Sequence, residues 1–232
     1  MTETRERSDR PWALWRRWVL ANILGELGGF GVAAMVGAAS AWLIGDNESA
    51  LANAIMIGIM VLTGAIEGTA VGWAQWRVLR RVLPELPRRA WMLATILGAV
   101  VAWAIGMTAG VSMGSADVTE TTAMMVMGLL IPVFGTILGF GQWLVFRRYV
   151  ERAGWWILAN AAAWTIGMVV IFAGMSLPLD EEAVILMALI GILSGVLAGA
   201  LVGAIHGLVL IWLLSGRLTE TPHDVGLQPP GR

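Results

Sequence analysis

Two glutamates, Glu26 and Glu67, stand inside long apolar runs where packing alone does not call for a carboxylate. Glu67 lies 13 residues before Arg80, roughly 20 Å of helix rise from that charged boundary. In a bilayer with a hydrocarbon core of about 30 Å, this is near the middle. A charged acid at that depth costs on the order of 2.5–3.5 kcal/mol even on the lenient insertion scale, and no intramembrane Arg or Lys is at hand to pair with it. Glu67 is therefore expected to be protonated and bonded to Thr63 or a neighbouring carbonyl, or else to face water or a bound cation. An intramembrane ionisable group is a functional candidate by default, and its chemistry would be proton or cation exchange.

A second set is polar but neutral. Gln75 lies five residues before Arg80 and Asn22 five after Arg17, so both sit roughly 7–8 Å inside the same boundary. Thr95, Gln142, Asn160 and His206 join them through a repeat described next. The set reads either as interhelical hydrogen bonds, Gln75 with Asn22 for example, worth about 0.6 kcal/mol each, or as a selectivity or gating ring. His206 has no His, Cys or paired carboxylate at ligand spacing, so no metal site is expected. There is also no Ser/His or Cys/His arrangement, paired-Asp motif or phosphate loop. No catalytic residue and no cofactor are expected, and the protein is expected not to be an enzyme.

The elements that would hold these residues recur. Gly68-x-x-x-Gly72-x-x-Gln75-Trp76 returns as Gly135-x-x-x-Gly139-x-x-Gln142-Trp143 and, worn down, as Gly199-x-x-x-Gly203-x-x-His206. Between these come Trp18-x-x-Ala21-Asn22, Trp91-x-x-Ala94-Thr95 and Trp156-x-x-Ala159-Asn160. Two interleaved signatures with one period imply a two-segment unit used three times. Glu26 and Glu67 break the pattern: their equivalents are Ala99 and Trp164 for the first, Phe134 and Ala198 for the second.

The 232 residues are 58% hydrophobic and 13% charged, where a soluble domain carries about 25% charge. The apolar runs exceed the roughly 18 residues that mark a span. Runs of this length, without strand alternation, predict six transmembrane helices at about 14–44, 51–79, 90–113, 122–146, 155–175 and 183–214. The expected fold is an all-α integral membrane protein, three antiparallel helical hairpins (12–82, 88–149 and 154–214) around a pseudo-threefold axis along the membrane normal. Residues 1–11 read as a flexible N-terminus and 215–232, rich in Pro and Gly, as a disordered tail. The absence of Cys excludes disulfides and thiolate sites.

Charge sets the orientation. All fifteen basic residues are Arg. Except for Arg232 in the tail, they gather before the first span, around the second and fourth connections, and after the sixth. The other three connections hold Asp46, Glu48, Asp117, Glu120, Asp180, Glu181 and Glu182 and no Arg. The positive-inside rule then places both termini in the cytoplasm, in a multi-pass protein of the cytoplasmic (inner) membrane.

Helices in lipid associate by close backbone approach, and small residues recur every four positions, most fully as Gly191, Gly195, Gly199, Gly203 and Gly207. These stripes predict contact faces, with Leu138 and Val202 beside them turned to lipid. Trp18, Trp91, Trp156, Trp76 and Trp143 read as an interfacial aromatic belt. Trp76 and Trp143, beside Arg80, Arg81, Arg147 and Arg148, could hold anionic lipid headgroups. Pro132 removes a helix hydrogen bond and predicts a kink or hinge.

Three two-helix repeats resemble mitochondrial carriers in number, but their Pro-x-Asp/Glu-x-x-Arg/Lys signature is absent from the odd helices. Six helices of this size with small-residue stripes resemble, in architecture, the substrate-binding subunits of energy-coupling-factor transporters. Two function classes follow. One is a transporter or channel-like protein moving a small solute, proton or cation past Glu26 and Glu67. The other is a non-catalytic membrane subunit or scaffold that binds a protein partner, a second copy or lipid. The bilayer is the expected partner in both, and nucleic acid in neither.

Overall fold

The computed structural model describes residues 2–44, 49–115, 118–177 and 183–219. They form α1 (Thr2–Ile44), α2 (Ala50–Leu79), α3 (Arg88–Ser115), α4 (Glu120–Phe146), α5 (Trp155–Met175), α6 (Val184–Leu213) and the short α7 (Ser215–Thr219). The first six are each long and apolar enough to cross a membrane. The chain is a polytopic, all-α membrane protein. Asp46, Glu48, Asp117 and the acidic 180–182 segment lie outside the described residues, as does the tail from 220 onward.

Each long helix packs on its neighbours in sequence, and α1 packs on α6, so the six close into a ring. Connections at the arginine-rich end are tight. Leu83 N–H donates to Leu79 O at 2.7 Å and Val150 N–H to Phe146 O at 3.0 Å, folding the turns back under the bundle. At the opposite end, Ser49 and Thr119 cap α2 and α4 by accepting from the N–H groups of Ala52 and Thr122.

Glycine sets the helix separations. On α2, α4 and α6 the pairs Gly68/Gly72, Gly135/Gly139 and Gly199/Gly203 rest on Thr95, Asn160 and Asn22 of the next helix round the ring. A Cβ on Gly139 would sit 2.9 Å from Asn160 Cβ, and one on Gly203 2.9 Å from Asn22 Cβ. On α3 and α4 the stripes fade toward the other end, where Gly110, Gly114 and Gly128 have nothing within 4 Å of a notional Cβ, whereas on α6 a Cβ on Gly191 would still meet Ala34 Cβ at 2.8 Å. No residue is buried over 100–114, 120–130 or 185–194, apart from side chains left undescribed. The ring is thus tightly filled toward the arginines and more open toward the acidic connections, most of all along α3 and α4, while Ala33, Met60 and Ile171 remain buried on the other helices.

Several expectations change. Leu138 and Val202 do not face lipid. Val202 is buried, Leu138 packs with it and Trp164, and a Cβ on Gly98 would meet Leu138 Cα at 3.2 Å. They fill the seam within each hairpin, where small residues on the partner helix leave room. Trp18, Trp91 and Trp156 are no belt but the centre of the core, each 0% exposed. Exposed indoles at that end are Trp12, Trp73, Trp155 and Trp212. The N-terminal segment, expected to be flexible, continues α1 back to Thr2 through Pro11. Residues 215–219, expected to be disordered, form α7 because Leu218 joins Leu214 in the apolar cluster. Pro132, the candidate kink or hinge, lies exposed inside α4, and its carbonyl accepts from Thr136 Oγ1 at 2.8 Å.

Candidate functional site

The tightly filled half brings six of the polar candidates into one layer. Asn22, Gln75, Thr95, Gln142, Asn160 and His206 are all at most 3% exposed. Asn22 Nδ2 donates to Trp18 O, Asn160 Nδ2 to Trp156 O and Thr95 Oγ1 to Trp91 O, each one turn back along its own helix. That bond turns each remaining acceptor toward the ring interior. Gln75 Nε2 donates to Asn22 Oδ1 at 2.9 Å, the expected pair. Gln142 Nε2 donates to Gln75 Oε1 and Thr95 Oγ1, both at 3.0 Å.

Beneath this layer the indoles act as donors. Trp156 Nε1 donates to Gln142 Oε1 at 2.9 Å and Trp18 Nε1 to His206 Nδ1 at 2.8 Å. His206 thus does take a glutamine's role as acceptor, and both of these indoles pack against its ring. Trp91 Nε1 has no partner, although it is buried against Phe146 and Trp156. A buried donor left without an acceptor costs about 1–3 kcal/mol. The three indoles, Phe146 and the leucines below them seal the ring toward the arginine-rich end.

Above the layer, Glu26 of α1 and Glu67 of α2 face the same small cavity. They are 2% and 7% exposed, and their carboxylates are close enough to interact. Its walls include Gln75, Thr95, Gln142 and Asn160, with Val71, Ala99, Leu138 and Trp164 as the apolar side. The space open to the centre of a water molecule is about 20 Å³, where one water needs roughly 10–15 Å³. The cavity suits one water or one small ion and is too small for an organic solute.

Glycines admit the carboxylates. A Cβ on Gly29 would meet Glu67 Cβ and Cγ at 3.0 Å, and one on Gly199 would meet Glu26 Cβ at 2.9 Å. Glu67 Oε2 accepts from Trp103 Nε1 at 2.6 Å. Thr63, the expected partner, instead donates to Met60 O. The sequence reading missed Trp103, although a signal was available. Trp103 lies 14 residues past Arg89, roughly 21 Å deep, level with Glu67, and an indole N–H in lipid needs an acceptor.

The remaining candidates lie apart from this site. Arg80 and Arg88 stack on Trp76 at 5.1 and 5.8 Å, and Arg147 on Trp143 at 4.7 Å. Arg81 and Arg148 are exposed. The chain matches no protein-family model, and no curated protein or solved structure matches it.

Proposed function

We infer that this protein binds and translocates protons or small cations, with Glu26 and Glu67 as the exchanging groups. The observation that carries the reading is the carboxylate pair itself. Two acids from adjacent membrane helices share a water-sized cavity with no basic residue among its walls. Such a pair is costly to bury and stays buried when a proton or cation neutralises it. In this reading the ion enters from the side of the acidic connections, and the indole layer is the closed gate on the other side. The cavity's size removes organic solutes from the range of cargo. The reading assigns no enzymatic activity.

The ring also supports the three-hairpin arrangement. Gly68, Gly135 and Gly199 occupy one register and meet Thr95, Asn160 and Asn22 on the following helix, as a rotation about a central axis would require. With the arginine-rich end in the cytoplasm, the cavity lies on the outer side of the indole layer. Arg80 over Trp76 and Arg147 over Trp143 are suited to anionic headgroups at the inner leaflet.

The test is flux into proteoliposomes loaded with a pH-sensitive dye. The native chain should carry protons down an imposed gradient, while Glu67→Gln and Glu26→Gln keep the fold and lose the flux. Flux no greater than in empty vesicles, with both variants as stable as the native chain, would reject the reading. The thick indole and leucine seal favours a second reading, a non-transporting membrane subunit, and that result would select it.

A further inference from the structure

Resting on that reading, we propose that the cavity between Glu26, Glu67 and Asn160 is a site for one monovalent cation of the sodium class, bound in competition with a proton. The argument is an account of polar atoms. Gln142 spends both Nε2 protons on Gln75 and Thr95 and its Oε1 on Trp156. Gln75 donates to Asn22 and accepts from Gln142. Thr95 gives its proton to Trp91 O. Glu67 Oε2 is held by Trp103, and Asn160 Nδ2 is directed to Trp156 O.

Four oxygens of the residues lining the cavity then remain without a hydrogen bond among the described residues: both of Glu26, Oε1 of Glu67 and Oδ1 of Asn160. Glu26 and Asn160 are each 2% exposed, so little more than the cavity itself is open to their oxygens. One Nε2 proton of Gln75 and one Nδ2 proton of Asn160 are also unspent, but the two carboxylates dominate the wall, which favours a hard cation and disfavours an anion. Divalent ions fit poorly, because Mg²⁺ demands six near-octahedral ligands and Ca²⁺ six to eight. Among the described residues no three His, Cys, Asp or Glu side chains gather as a metal site.

Charge fixes the exchange. A monovalent ion neutralises one carboxylate and a proton the other, so each Na⁺ that replaces a proton releases it and leaves the site's charge unchanged. The titratable group facing Glu26 is Glu67 of α2; α6 presents none to the cavity, its His206 lying in the indole layer with Nδ1 committed to Trp18. Facing Glu67 from α1 is Glu26, and α3 presents none. Trp103 is a positioning residue: it holds Oε2 of Glu67 and leaves Oε1 without a hydrogen bond.

The experiment uses the full chain in detergent micelles at constant ionic strength, with NaCl replacing choline chloride. The thermal midpoint should rise saturably with Na⁺ at pH 8. Half-saturation should need about tenfold more Na⁺ for each unit of pH lost. Adding NaCl in weak buffer should release one proton per chain. Glu26→Gln should abolish both responses and Asn160→Ala should weaken them, while the exposed Leu144→Ala changes neither. If Glu26→Gln does not fold, Asn160→Ala and Trp103→Phe decide. Equal midpoints in the two salts, or a sodium response unchanged in these variants, overturns the proposal. Proton flux that dies with Glu67→Gln but ignores Na⁺ sinks the cation site alone. A sodium response without any flux upholds the site and removes translocation.

Discussion

Two glycines of α4 separate packing from helix propensity. Gly139 is buried, and a methyl on it would lie 2.9 Å from both Ile157 Cα and Asn160 Cβ. Gly128 lies about three turns away on the same helix with nothing within 4 Å. Replacing either by Ala gains the same intrinsic propensity, about 0.8–1.0 kcal/mol, so that contribution cancels in the difference. What remains at Gly139 is overpacking, in which α4 and α5 must part by several tenths of an ångström, at about 1–3 kcal/mol. Gly128→Ala should therefore be neutral or stabilising, and Gly139→Ala should fall below it by about that 1–3 kcal/mol. The assay is reversible unfolding in mixed micelles with a rising fraction of denaturing detergent, comparing midpoints at equal slope. Equal stability of the two variants would mean that the α4–α5 distance is not set by Gly139, and the close-contact account of the ring would fail.

Other predictions test other layers. Trp91→Phe and Trp156→Phe lose similar packing, but only the second strands an acceptor, Gln142 Oε1; by chemical denaturation Trp156→Phe should be worse by about 1–3 kcal/mol. Arg217 of α7 bonds Glu85 Oε1 and Tyr149 O across the arginine-rich end. A hydrogen bond to its own backbone, and then Arg217, hold the Glu85 carboxyl below its ordinary value of 4.5, with slight burial opposing. This half-exposed pair contributes at most about 1 kcal/mol. The contribution is present above the ordinary value and is lost as pH falls through the lowered one, so Glu85→Gln should match the native chain in acid and fall slightly below it at pH 7. Finally, Cys placed at Thr121 should label with an impermeant reagent from outside intact cells and Cys at Ser215 should not; the reverse would invert the orientation.

Much of this was legible because period and chemistry coincide. Length and polarity gave six helices, the acid and arginine connections gave one end its character, and equal depth below Arg80 and Arg17 gave the Gln75–Asn22 bond. Rotation about each helix axis was not legible. Trp18 and Trp155 both lie near the arginines, yet one is core and the other faces outward. Only the ring, which turns Asn22 and its neighbours inward, decides between them. Leu138 and Val202 failed for the same reason: residues beside a glycine stripe face either lipid or the next seam, and a four-residue step alone leaves that open. Trp103 needed a contact between α2 and α3, 36 residues apart, that no local pattern encodes.

The broken symmetry carries the last prediction. On the proposed threefold arrangement, the positions of Glu26 and Glu67 recur as Ala99 with Phe134 and as Trp164 with Ala198, and all six are buried. One hairpin is small then large, another is large then small, and the first holds two medium-sized acids. Each hairpin thus fills the interior with one bulky pair, and only one of them spends that volume on charge. Acids in all three would crowd six carboxylates round a space for one water. The first hairpin can then be given its sister's pair, Glu26→Ala with Glu67→Phe. Trp103 would be left without an acceptor, at about 1–3 kcal/mol, so Trp103→Phe completes the set. Exchanging buried charge for packed apolar volume is often neutral or stabilising by about 1–4 kcal/mol. The triple variant should fold, unfold at or above the native midpoint, and show neither proton flux nor a sodium response. Failure to fold, with Trp103→Phe alone remaining stable, would show that the carboxylates hold the ring together, and their assignment as exchanging groups would lose its ground.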